Sequence, residues 1–195
     1  MKLQGVKIGL VVTGSHCTVG DVIPAVKGLA VEGAVITPIF SYTVSNTDNR
    51  FYQVKELEKQ IAEITSEKII RSITEAEPIG PQKLFDVVVI APCTGNTMAK
   101  LANGIIDSPA LMAAKAHLRN QRPVVLAISS NDALGLNARN LGVLLNSKLI
   151  YFVPFRQDSP QEKSNSLVAD MKLMIETIVC ALQGKQLQPL LLGPA

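Results

Sequence analysis

Aromatic residues are scarce in this 195-residue chain: five phenylalanines, three tyrosines and no tryptophan, 4% in all. Stacking platforms for nucleic-acid bases are therefore poorly supplied. The electrostatic half of nucleic-acid binding is missing too, since 19 Lys and Arg against 16 Asp and Glu leave a net charge of +3, scattered rather than striped. Three cysteines, Cys17, Cys93 and Cys180, lie far apart without a C-x-x-C, and there are two histidines. No metal site and no disulfide framework are expected, and a reducing cytoplasm fits. No apolar run reaches the roughly 18–20 residues of a membrane span, and no secretory signal precedes the first strand-like run. Gly14 and Gly20 do not complete a G-x-G-x-x-G, and no G-x-x-x-x-G-K-[ST] occurs, so the dinucleotide and P-loop fingerprints are both absent.

What is present is alternation. Strand-like runs at residues 6–12, 34–40, 85–91, 123–128 and 149–153 are interleaved with helix-period segments at 21–32, 51–65, 95–103, 109–119 and 133–146. A last amphipathic helix is expected over 166–182, and a short element over 69–73. Asp21 opens the first helix with Pro24 in its first turn, and Gly33 ends it. This pattern predicts a single α/β domain over residues 1–195, doubly wound, with a mainly parallel, Rossmann-like sheet.

The chemistry concentrates where strands stop. The run Val87-Val88-Val89-Ile90 has the composition of a parallel strand buried on both faces, and it empties into Pro92-Cys93-Thr94-Gly95-Asn96-Thr97. A helix capped by Thr94 or Asn96 follows, with uncapped N–H groups suited to an anion. The plain alternative is an ordinary capped helix after a strand. Other strands end in Thr13-Gly14-Ser15-His16-Cys17-Thr18, Ser41-Tyr42-Thr43 and Ser129-Ser130-Asn131-Asp132. Four such turns on one sheet edge offer many hydrogen-bonding groups and little fixed charge, which suits a ligand with a phosphate and a polar heterocycle.

Thr13-Gly14-Ser15, the PCTGNT turn and its continuation through Asp107 resemble the homo-oligomeric flavin-containing cysteine decarboxylase superfamily. TGSHCT, the long segment from Ala91 to Leu141 and the terminal QLQPLLL are similar to one branch of it, the B subunits of dipicolinate synthase. The resemblance implies a flavoprotein fold, flavin mononucleotide as cofactor and a homo-oligomer. It also implies a separate A subunit supplying a nicotinamide cofactor, NAD(P). The implied reaction is oxidation of a dihydro- or hydroxytetrahydrodipicolinate to pyridine-2,6-dicarboxylate during sporulation, in the mother-cell cytoplasm. Cofactor contacts are implied at Gly14, Ser15, Ser41, Thr43, Pro92, Thr94, Gly95, Asn96, Thr97, Ser129, Ser130 and Asn131. Two other readings stay open: a non-catalytic organising subunit that binds the flavin or an anion, and a flavin-dependent decarboxylase. Against the decarboxylase, residues 41–65 contain no histidine, where that branch keeps its acid–base group. The Met-Asn clamp is also replaced, by the run from Ser129 to Asn137.

His16 is the candidate catalytic residue, because imidazole titrates near neutrality; hydrogen bonding to a phosphate or within the turn competes with that role. A dicarboxylate asks for forked donors, so Arg50, Arg139 and Arg156 are candidate substrate contacts, with Asn103 beside them. Each of these arginines is equally readable as surface charge. Cys93 is expected on a loop at the site's edge, Cys180 in the core, His117 on or against a helix, Asp107 as a helix cap and Lys100 on a solvated face.

Overall fold

The computed structural model describes residues 1–15, 18–65 and 67–193. Five parallel strands form the sheet's body: β1 (Lys7–Val12), β2 (Val35–Phe40), β3 (Val87–Cys93), β4 (Val124–Ser130) and β5 (Ile150–Phe152). They lie in the order β2-β1-β3-β4-β5. Every residue of β3 is buried, as expected of a central strand covered on both faces.

Helices α1 (Val19–Val31), α3 (Val54–Thr65) and α8 (Met174–Leu182) form one covering layer. The other holds α4 (Ile73–Ala76), α5 (Gly95–Ala102), α6 (Pro109–Arg119) and α7 (Ala138–Leu145), while the short α2 (Tyr42–Asn46) follows β2. The doubly wound α/β expectation holds. Gly33 ends α1 at φ 86°, a left-handed conformation that costs glycine little.

Local differences have local causes. β3 runs on through Pro92 and Cys93, which were expected to open the following helix, and the β3–β4 register shifts between Ile90 and Cys93 around Pro92, which has no N–H to give. α1 starts at Val19, so Pro24 lies inside the helix rather than in its first turn. α7 starts at Ala138, not 133, because Asp132 claims the preceding turn: its Oδ1 accepts from Leu136 N at 3.1 Å and its carbonyl from Gly135 N at 3.1 Å. The expected helix over 166–182 divides. Residues Leu167–Ala169 form β7, Asp170 caps a 3₁₀ turn, and only Met174–Leu182 is α-helical.

β7 gives the site its roof. It pairs antiparallel with the end of β4, Ser129 opposite Val168 and Ser130 opposite Leu167, and on its other side with β6 (Phe155–Arg156). β5 occupies only the first half of that β4 edge, so the 155–169 hairpin fills the rest, at the carboxyl end of the sheet.

Candidate functional site

β1 is followed by a crossover to β2 and β3 by one to β4, so the chain turns opposite ways from two adjacent strands. Open α/β sheets bind ligands in the crevice at such a point. Thr13 bridges it: its hydroxyl donates to Pro92 O at 2.6 Å and accepts from Thr94 N at 3.2 Å, at 1% exposure. Thr94 in turn caps α5 by accepting from Thr97 N at 3.2 Å, and Ser41 caps α2 by accepting from Val44 N at 3.4 Å.

A triangle of hydroxyls lies beside the crevice. Ser15 Oγ and Ser129 Oγ are 2.7 Å apart, Thr18 Oγ1 donates to Ser15 Oγ at 2.6 Å, and Thr18 Oγ1 is 2.8 Å from Ser129 Oγ. The hairpin closes over the end of β4 through Ser166 Oγ to Asn131 Oδ1 at 3.3 Å and Leu134 N to Asn165 O at 3.0 Å.

Two cavities open here. The smaller, about 420 Å³, is lined by Ser41, Tyr42, Thr43, Thr97, Lys100 and Asp107 among others. The larger, about 690 Å³, takes in Ser15, Thr18, Arg50, Gly95, Ser129, Ser130, Asn131, Asp132, Asn137, Asp158, Lys163 and Ser166. Gly14, Thr94 and Asn96 line both, so the cavities adjoin. A third cleft of about 590 Å³, between α1 and Met171 and Ile175, is lined by no hydroxyl or amide side chain. The four expected turns thus meet at one edge.

The formal charges balance locally. The larger cavity's lining holds Arg50 and Lys163 with Asp132 and Asp158, Lys163 pairing with Asp158 at 3.3 Å, and in the smaller one Lys100 pairs with Asp107 at 2.5 Å. Burial would raise the Asp158 carboxyl, but hydrogen bonds from Ser166 and Lys163 outweigh it and hold it below the usual range. Arg50 stacks over Phe51 at 4.7 Å and makes no ion pair among the described residues.

Of the expected cofactor contacts, Gly14, Ser15, Ser41, Thr43, Thr94, Gly95, Asn96, Thr97, Ser129, Ser130 and Asn131 line one cavity or both. Pro92 lines neither; it is buried in β3 and offers only its carbonyl to Thr13. His16 and Cys17 lie outside the described residues. Of the expected substrate contacts, Arg50 alone lines a cavity. Arg156 is paired with Asp170 at 2.9 Å, Arg139 is exposed in the first turn of α7, and Asn103 ends α5, donating to Ala99 O at 2.7 Å. Cys93 is a strand residue, not a loop one, and burial pushes its thiol up to about 12, so it is no nucleophile at neutral pH. Cys180 is half-buried rather than core, Ser108 and not Asp107 caps α6, and Lys100 is half-buried at a cavity wall instead of on a solvated face. Thr18, Asn137, Lys163 and Ser166 were not foreseen as site residues. Thr18 carried the same hydroxyl signal as its neighbours, whereas Lys163 sits in a polar loop whose fold over β4 has no local signature.

The profile of the Flavoprotein family matches residues 1–183. The chain belongs to that family. It is 52% identical over 189 residues to the B subunit of dipicolinate synthase from Bacillus subtilis (strain 168), covering 97% of this chain and 94% of the relative. The crystal structure of the dipicolinate synthase B subunit from Bacillus halodurans superposes with a TM-score of 0.92 at 49% identity, over 100% of both chains. More distantly, the FMN binding protein AtHal3 shares the fold, with a TM-score of 0.63 at 16% identity over 90% of this chain and 95% of the other.

Proposed function

We propose that this chain is the flavin-binding B subunit of a dipicolinate synthase. With a nicotinamide-dependent A subunit it oxidises a dihydro- or hydroxytetrahydrodipicolinate to pyridine-2,6-dicarboxylate, in the mother-cell cytoplasm of a sporulating cell and as a homo-oligomer. The observation that carries this reading is the pair of adjoining cavities at the sheet's switch point, walled by hydroxyls and amides with a few charges of both signs, in a chain so similar to dipicolinate synthase B subunits.

The lining fits flavin mononucleotide in kind. The Ser15–Thr18–Ser129 hydroxyls, beside Gly14, satisfy one another at 2.6–2.8 Å and can re-aim at phosphate oxygens without leaving a buried charge behind. Thr94, Gly95, Asn96, Ser130 and Asn131 would border the ring, with Ser41, Thr43 and Thr97 beyond the crevice. A bound flavin supplies a two-electron acceptor. Aromatising the dihydro precursor removes two electrons and two protons, and the hydroxytetrahydro precursor loses a water molecule as well, so an acceptor from the flavin or from the A subunit's NAD(P) is required in either case. Arg50 binds a substrate carboxylate through paired N–H donors, which its position on the cavity wall and the lack of an ion pair to it among the described residues permit. His16, which follows Ser15 in the sequence, is the acid–base candidate.

The decarboxylase reading has less support, because residues 41–65, where that branch keeps its acid–base group, contain no histidine. The test has two arms. Flavin mononucleotide added to the purified protein should show a shifted visible spectrum and quenched fluorescence. Ultraviolet absorbance of the aromatic product, from dihydrodipicolinate and NAD(P), should rise only when both subunits are mixed. Full activity from the A subunit alone would leave this chain an organising subunit.

A further inference from the structure

Asn137 lines the larger cavity beside Ser130, and its carboxamide cannot turn over freely. A carboxylate only accepts, so the atom 3.2 Å from Asp132 Oδ2 is Asn137 Nδ2. Asn137 Oδ1 then accepts from Asn140 Nδ2 at 2.9 Å, and Asn140 Oδ1 from Asn103 Nδ2 at 3.2 Å. Asn103 Nδ2 also donates to the Ala99 carbonyl at 2.7 Å, which accounts for both its N–H groups. The three amides therefore form one directed chain ending on Asp132. Reversing Asn137 would set a carbonyl against that carboxylate and an N–H against the Asn140 donor.

Asn137 Nδ2 carries a second N–H, for which the described residues offer no partner. Ser130 Oγ accepts from Asp132 N at 3.3 Å, and its own O–H is unspent among the described residues. Gly95 makes room for both groups: a Cβ there would lie 2.6 Å from Ser130 Oγ and 2.9 Å from Asn137 Nδ2. Two donors thus border the same point beside Gly95, an N–H oriented by the amide chain and an O–H free to rotate toward a ligand. The carboxylate of Asp132 lines the same cavity, so a full negative charge is disfavoured next to them.

We infer that Asn137 and Ser130 form a subsite for an uncharged acceptor oxygen, a ring carbonyl of a planar heterocycle, with Asp132, Asn140 and Asn103 as positioning residues. Under the proposed function, on which this assignment of the ligand rests, the carbonyl belongs to the flavin ring rather than to a substrate carboxylate. Asn103, expected to touch substrate, acts through Asn140 and Asn137 instead.

The test uses the full chain and two probes, flavin mononucleotide and pyridine-2,6-dicarboxylate, titrated by fluorescence and calorimetry. Asn137→Ala weakens flavin binding about tenfold and leaves the dicarboxylate unchanged. Asn140→Leu, which frees the amide to turn, weakens it less. A reciprocal pair separates positioning from mere stability. Asn137→Asp alone sets two carboxylates together and lowers the melting temperature. Adding Asp132→Asn restores the hydrogen bond with its direction reversed, so melting recovers while flavin affinity stays low, because the aspartate has no N–H to offer. Affinity that recovers together with melting would make the network merely structural and overturn the inference. So would wild-type flavin affinity in Asn137→Ala, or a loss confined to the dicarboxylate. If the wild-type chain binds no flavin, the proposed function fails first and this assignment with it.

Discussion

Gly95→Ala tests the crowding at the start of α5 directly. Ordinarily an alanine replacing a helical glycine stabilises a protein, by about 0.5–1 kcal/mol, through helix propensity and a less flexible unfolded chain. At Gly95 the added methyl would meet Ser130 Oγ at 2.6 Å and Asn137 Nδ2 at 2.9 Å, both inside van der Waals contact. Ser130 can rotate away only by giving up its bond from Asp132 N, and Asn137 only by breaking the amide chain. Overpacking of this kind costs about 1–3 kcal/mol, so the net effect is a loss of about 0–2.5 kcal/mol. Gly142, inside α7, is the control, because a Cβ there meets nothing within 4 Å. For a chain of this length 1 kcal/mol moves the midpoint by about 2–4 °C. Thermal or urea unfolding should therefore show Gly142→Ala raised and Gly95→Ala unchanged or lowered, with flavin affinity reduced only in the latter. Equal stabilisation by the two substitutions would refute the close approach and the subsite built on it.

Three further outcomes are expected. His117 is 1% exposed with Nε2 unpartnered among the described residues, and burial, aided by the Arg122 guanidinium, lowers its pKa to about 4 despite a hydrogen bond to the Asp86 backbone. The native state thus keeps it neutral while the unfolded chain protonates it near 6.5, so this contribution is whole above about pH 6.5 and declines by up to about 3 kcal/mol as pH falls to 4; His117→Met should flatten that limb in a pH series of urea titrations. Thr13→Val removes both buried bonds across the β1–β3 crevice and should cost about 1–3 kcal/mol, and an unfolding midpoint equal to wild type would show the bridge to be dispensable. Arg50→Ala should lower affinity for pyridine-2,6-dicarboxylate with stability intact, whereas Arg156→Ala should leave that affinity alone; calorimetry on the two variants decides, and the reverse pattern would move the carboxylate site to the hairpin.

Much of the architecture was legible because the relevant signals are local. Val87 to Ile90 could only be a strand buried on both faces, and each strand's polar sequel marked the same sheet edge. Where the reading failed, two local descriptions were equally good. Leu167 and Met171 stand four apart, as on a helix, yet Leu167–Ala169 finds a free stretch of β4 to pair with and becomes a strand. The arginines illustrate the same limit at the site. Charge and residue type were identical at Arg50, Arg139 and Arg156, and only tertiary placement separates a cavity wall from an exposed helix turn and from an ion pair with Asp170. The amide chain was invisible for a like reason, since Asn103 and Asn140 meet across 37 residues of sequence.

Most polar groups at this site do two things. Thr94 and Ser41 cap helices, Thr13 ties two strand ends together, and Asp132 organises the turn before α7, while each also lines a cavity. A hydroxyl has one proton and two lone pairs, so a cap that spends a lone pair on a backbone N–H keeps capacity for a ligand. Residues that make good turns and residues that can make a binding surface are therefore the same types, which is why four polar turns pointed to one sheet edge without separating cavity lining from caps. Arg50 is the exception. It caps nothing and pairs with no carboxylate among the described residues, so its removal costs the fold little. The loss of dicarboxylate affinity expected of Arg50→Ala is accordingly the cleanest test of binding at this cavity, whereas losses at Thr13, Thr94 or Asp132 would mix folding with recognition.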